Sequence, residues 1–166
     1  MKYSIEELKE FLKPLISEKR YNHSVMVMEE AKEYLKKYGN NDREFYEKTI
    51  RAALMHDMAK EMTQEEIKEY DFDEEMANSI RWHTTGSTNM SLMDKIVFLA
   101  DKTGRENLLP TLKKVREKAF IDLDEAIYYY IEENIKRLKE KNATINQKSI
   151  ETKNYFFKKL NKIAKF

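Results

Sequence analysis

The chain has no cysteine, three glycines and two prolines among 166 residues. Without a thiol it can have no disulfide, no thiolate metal ligand and no cysteine nucleophile. Tight turns consume glycine and proline, so their scarcity argues against a sandwich or barrel of many short strands and against a glycine-rich phosphate loop. Neither sign of charge dominates: 31 Lys and Arg face 30 Asp and Glu. A globally basic nucleic-acid binder is excluded, and only local patches remain open. No apolar run approaches the ~20 residues of a membrane-spanning helix. The opening Met1-Lys2-Tyr3-Ser4-Ile5-Glu6-Glu7 lacks the apolar core of a secretory signal. The expectation is a cytoplasmic protein with no membrane segment. With no repeat, low-complexity tract or linker, residues 1–166 read as one domain, with a core over about 18–140 and a C-terminal helix over about 148–163.

What is present is helical punctuation. Ser4 followed by Glu7 is a capping box before Ile5, Leu8, Leu12 and Leu15. A second helix is expected from about Arg20 to Tyr38, stopped by Gly39, and a third from Asp42 to about Lys60. Thr63 with Glu66 signals a short fourth, and Asp73 opens a fifth that ends near Thr85-Gly86. Ser91 with Asp94 caps a sixth, running to about Lys102, and Pro110 marks the first turn of a seventh. Asp122 caps the clearest pattern, in which Leu123, Ala126, Ile127, Tyr130, Ile131, Ile135 and Leu138 share a face. A last helix is expected after Ser149. No segment alternates with period two, so the fold class is all-α, a bundle of about eight or nine helices.

The informative residues break the inward-apolar rule. His23 lies on a stripe with Val27, Ala31, Tyr34 and Tyr38. Asp57 follows Leu54 by three and Ala53 by four, beside His56. His83 is three after Ile80, and Asp101 ends the run Ile96-Val97-Phe98-Leu99-Ala100. All three histidines and two aspartates therefore fall on faces that should be dry. A single inward histidine is usually a satisfied core residue, and a single inward aspartate usually a cap or an arginine partner. Five such residues on several helices point instead to ligands converging on metal, since a buried carboxylate costs several kcal/mol unless it is paired or metal-bound. Imidazole and carboxylate without thiolate suit Fe, Mn, Co, Ni or Zn better than Mg or Ca. Such a metal acidifies bound water and suits attack on an electrophile such as phosphate.

Four segments, in order, carry a family resemblance: Arg20-Tyr21-Asn22-His23-Ser24, Ala53-Leu54-Met55-His56-Asp57-Met58-Ala59-Lys60, Ile80-Arg81-Trp82-His83-Thr84-Thr85-Gly86, and Met90 to Asp101. Together with the tail from Thr144 to Asn154, they resemble the HD superfamily of metal-dependent phosphohydrolases, and within it the YqeK-type branch of symmetrical diadenosine-tetraphosphate hydrolases. The resemblance implies that His23, His56, Asp57 and Asp101 hold a first metal, iron foremost. Asp57 would reach toward a second metal, and His83 would belong to that second ligand set. It also implies catalytic work for Asp57, His83 and Lys60, and substrate contacts by Arg20, Thr84, Thr85, Gly86 and Arg105. Two departures stand out. Residues 61–82 hold no histidine and no glycine where the family has both, which favours one tight metal over two. After Asp101 the chain reads Lys102-Thr103-Gly104-Arg105-Glu106, with the arginine out of the family's register.

The expected activity is cleavage of diadenosine tetraphosphate to two ADP. The alternatives are a mononuclear enzyme on another nucleotide, a degenerate nucleotide-binding module, or a helical RNA-binding domain built on the lysines from Lys153 onward. The last is disfavoured, because a basic face on a terminal helix is commonplace. The partner is thus a small nucleotide. The oligomeric state is open, with a homodimer among the options.

Overall fold

The computed structural model describes residues 2–58 and 69–163. Among these residues there are eight helices and no strand: α1 (Ile5–Leu12), α2 (Glu18–Tyr38), α3 (Arg43–Met55), α4 (Glu74–Trp82), α5 (Leu92–Thr103), α6 (Pro110–Ala119), α7 (Leu123–Glu140) and α8 (Gln147–Ile163). The expected short helix at Thr63–Glu66 lies outside the described residues.

Local chemistry sets the boundaries. Ser4 and Ser91 form complete capping boxes with Glu7 and Asp94. Asp42, Asp73 and Asp122 each accept a first-turn N–H. Pro110 occupies the first turn of α6, where its missing N–H costs nothing. Between α2 and α3 the chain turns through Asn40 and Asn41, both in the left-handed region that asparagine tolerates.

Five boundaries differ from the sequence expectation. α1 ends at Leu12, short of the exposed Leu15, because Pro14 has no N–H to continue the helix. α2 begins at Glu18 because Ser17 supplies the cap. α3 stops at Met55 rather than near Lys60, and α4 at Trp82 rather than at Thr85-Gly86. The reason is shared. The His56 ring Nδ1 bonds the Ala53 carbonyl at 2.8 Å, and the His83 ring Nδ1 bonds the Ile80 carbonyl. Each ring lies beside a helix end and engages one of its last carbonyls. α8 begins two residues before Ser149, because the Asn146 side chain accepts the Lys148 N–H at 2.8 Å.

The core is organised around α5, which packs against α2, α3, α4, α6 and α7. From Ile96 to Thr103 every residue of α5 is buried. A helix surrounded this way is apolar all round unless something holds its polar members. Its C-terminal residues Asp101, Lys102 and Thr103 are polar, and each is buried. They define where function has to be sought.

Candidate metal centre

His23 projects from the first half of α2, Asp101 from the last turn of α5, His56 and Asp57 from the turn after α3, and His83 from the turn after α4. Packing of these four helices brings the side chains together. His23 Nε2 lies 3.0 Å from Asp101 Oδ1 and His56 Nε2 3.3 Å from the same oxygen. His56 Nε2 is 3.6 Å from Asp57 Oδ2, and His83 Nε2 is 3.7 Å from Asp57 Oδ1. The rings meet edge to face, with centroids 5.4 Å apart for His23 and His56 and 4.9 Å apart for His56 and His83. Two overlapping groups result, His23–His56–Asp101 and His56–Asp57–His83; within each, all ligand atoms lie within 4.8 Å of one another.

The electrostatics favour ionised carboxylate facing imidazole. Burial alone would raise the Asp101 carboxyl. The Lys102 charge, the His23 hydrogen bond and the adjacent His56 ring overcome it and hold the group far below the usual carboxylate range. His56 and His83 have Nδ1 engaged by backbone carbonyls, so Nδ1 carries the proton and Nε2 presents a lone pair. His56 is wholly buried, and among the described residues its Nε2 has no hydrogen-bond partner of acceptable geometry. An orphaned buried acceptor facing two carboxylates is unfavourable in a finished protein core. A cation held there would satisfy it. At metal–ligand lengths of about 2.0–2.2 Å, neighbouring ligand atoms sit roughly 3.0–3.5 Å apart, which matches the spacings around Asp101 and His56. The donor set therefore fits a divalent transition metal.

The other expected site residues are distributed unevenly. Thr84 is exposed, with its hydroxyl 3.2 Å from His83 Nε2. The Thr85 hydroxyl donates to the Gly86 carbonyl. Gly86 is buried at φ +69, and an added Cβ would come within 2.7 Å of Thr152 in α8, so close packing and backbone conformation account for the glycine. Arg20 is exposed in the first turn of α2. Arg105 is exposed, donates to the Asp101 backbone carbonyl at 3.3 Å, and lines a hollow with Met26, Glu30 and Arg116 rather than with the histidines. Lys60 lies outside the described residues.

Two polar groups escaped the sequence reading. Lys102, next to Asp101, is 7% exposed and donates to Asp101 Oδ2 at 2.6 Å. Glu30 is buried and takes a two-pronged bond from Arg116, at 2.6 and 3.2 Å, plus the Thr103 hydroxyl at 3.0 Å. The signal for Glu30 was present, since it falls between Val27 and Tyr34 on the His23 stripe.

Residues 20–106 match the HD domain family model, and the chain belongs to that family of proteins. Among relatives, it is 32% identical to a protein of Halalkalibacterium halodurans named bis(5'-nucleosyl)-tetraphosphatase, symmetrical, over 87% of this chain and 92% of that one. Proteins of the same name from Bacillus subtilis and Staphylococcus aureus are each 27% identical, over 84% and 92% of this chain and 90% and 94% of theirs. A crystal structure from Clostridium acetobutylicum, described as an HD superfamily hydrolase involved in NAD metabolism, superposes with a TM-score of 0.80. It is 27% identical, and the match covers 95% of this chain and 98% of that one.

Proposed function

We propose that this protein is a metal-dependent nucleotide phosphohydrolase that cleaves a dinucleoside tetraphosphate, diadenosine tetraphosphate foremost, at its central anhydride. Water adds to phosphorus, the bridging P–O bond breaks, and two nucleoside diphosphates leave. The observation that carries the reading is the meeting of three imidazoles and two carboxylates around the orphaned His56 Nε2. The names of the relatives supply the substrate.

In this reading His23, His56 and Asp101 hold one divalent transition metal tightly, iron foremost. When bound, that metal supplies charge to a phosphoryl oxygen and acidity to water. Asp57 completes this ligand set and, lying between His56 and His83, orients the water that attacks. His83, whose Nε2 faces Asp57 and the Thr84 hydroxyl, receives or returns the proton. Arg20, Lys60, Thr84 and Thr85 serve the polyphosphate, which carries more negative charge than one metal neutralises. Arg105 is assigned to the far end of the substrate rather than to the reacting phosphorus. Residues 1–166 act as one cytoplasmic domain.

The test is metal analysis of protein purified without chelator, followed by product analysis on diadenosine tetraphosphate. About one metal per chain and ADP as the sole nucleotide product support the reading. ATP with AMP, or metal-loaded protein without turnover, overturns it.

A further inference from the structure

Asp101 offers two oxygens, and the surrounding side chains divide them. Oδ1 faces the imidazoles, 3.0 Å from His23 Nε2 and 3.3 Å from His56 Nε2. Oδ2 faces away, 2.6 Å from Lys102 Nζ. The same Nζ donates to the His83 backbone carbonyl at 3.1 Å, across 19 residues of sequence. Its remaining surface is covered by two rings, with Nζ 5.1 Å from the Phe98 centroid and 5.5 Å from that of Tyr130.

Burying a lysine is expensive unless its charge and donors are matched. Here a carboxylate, a helix-terminal carbonyl and two aromatic faces match them, so the ammonium has little freedom to move. A simple surface ion pair could not fix the carboxylate in this way, because exposed long side chains exchange partners.

We propose that Lys102 is a positioning residue: it occupies Asp101 Oδ2, thereby reserving Oδ1 as the single donor to the metal, and it fastens the turn carrying His83 to that same carboxylate. One cation thus couples a ligand on α5 to a ligand after α4. The inference rests on the metal-site reading above and concerns the chain's own residues rather than the reaction.

Charge and position make opposite demands here, which gives the test its power. Coulomb repulsion alone dictates that removing a positive charge beside a cation site strengthens cation binding. Positioning dictates that removal weakens it. The experiment titrates Co²⁺ into metal-free Lys102→Met, Lys102→Gln and Lys102→Arg proteins. Affinity is read by calorimetry, coordination by the visible Co²⁺ spectrum, and folding by circular dichroism and thermal melting. The expected result is folded Lys102→Met with Co²⁺ affinity at least ten-fold weaker and an altered spectrum. Lys102→Arg, which keeps charge and donors, should recover both in part. Unchanged or tighter Co²⁺ binding with an unchanged spectrum in folded Lys102→Met or Lys102→Gln overturns the proposal. Loss of folding in both neutral variants also overturns it and makes Lys102 a core residue. Failure of the parent protein to bind Co²⁺ would strike the metal-site reading itself, and so is distinguishable from these outcomes.

Discussion

Two buried polar clusters sit side by side along α2 and α5. They begin seven residues apart on one helix, at His23 and Glu30, and two residues apart on the other, at Asp101 and Thr103. The Glu30 cluster is closed. Its carboxylate takes Arg116 in a fork and the Thr103 hydroxyl, whose oxygen lies 2.8 Å from the Tyr34 hydroxyl. Burial pushes the Tyr34 phenol well above its usual range despite its bond to Thr103, so it stays protonated as a donor. The His23 cluster is open at its centre: among the described residues His56 Nε2 has no hydrogen-bond partner, and Asp57 lies 3.6 Å from it and 3.7 Å from His83 Nε2. Both are largely buried, and each is built around a carboxylate. They differ in whether the protein satisfies its own polar atoms. A closed network holds helices together, whereas an open one is built around something the chain does not itself contain.

The contrast is sharpest under substitution. Asp57→Ala should abolish metal retention and lower kcat/KM by at least ~10³-fold, while the metal-free protein melts within a few degrees of the parent. Elemental analysis, turnover and calorimetry check this, and a large loss of apo-stability would mean that the open cluster is structural after all. Glu30→Ala should do the reverse, because it strands a half-buried guanidinium. A loss of about 3 kcal/mol is expected from denaturant melts, with metal content per folded chain unchanged.

His83→Ala divides the open cluster itself. The protein should keep one metal on His23, His56 and Asp101 and lose ~10²-fold in kcat. Two metals in the parent and one in the variant would show that His56–Asp57–His83 is a second site. Gly86→Ala tests the buttress rather than the ligands. With φ at +69 and Thr152 2.7 Å from the new carbon, about 1–3 kcal/mol of stability should be lost.

The smallest effect belongs to a third, partly buried arrangement. Asp124 lies 2.6 Å from both Lys95 and Lys159. Burial raises its carboxyl, but the bonds from Lys159 and Lys95 outweigh this and leave it lowered. A lowered folded-state value contributes stability above the unfolded value of roughly 3.9, and this is lost as pH falls through the folded one. Asp124→Asn should therefore melt slightly below the parent at pH 7, by no more than about 1 kcal/mol, and the gap should close below about pH 4.

Much of this was legible in the sequence because the open cluster consists of rule-breakers. His23, His56, Asp57, His83 and Asp101 stood out as polar residues on apolar stripes, and helical spacing turned them inward. The all-α class followed from caps and from missing turn residues. The histidine-terminated helix ends were not legible, since periodicity continues past Met55 and Trp82 while the rings compete for the last carbonyls. Lys102 was hidden for a different reason. A lysine at the end of a helix normally reads as a solvated charge near the helix dipole. Only the tertiary packing of Phe98, Tyr130 and the His83 carbonyl turns it inward. Arg105, read as a substitute substrate clamp, engages the Asp101 backbone and the Glu30 side of the molecule, a placement that sequence register alone could not supply.

The close approach of Gly86 to Thr152 also has a kinetic meaning. Lys148 lies over the Trp82 ring at 5.6 Å, and Phe156 is buried in the same core. The start of α8 thus lies against the turn that carries His83. Lifting that helix exposes the turn, so the two segments should open as one cooperative unit. In native-state hydrogen exchange, the slow amides of 150–156 and those of 83–86 should share a single opening free energy. A ligand that clasps His83 should then slow exchange in α8, far along the chain from any residue it touches.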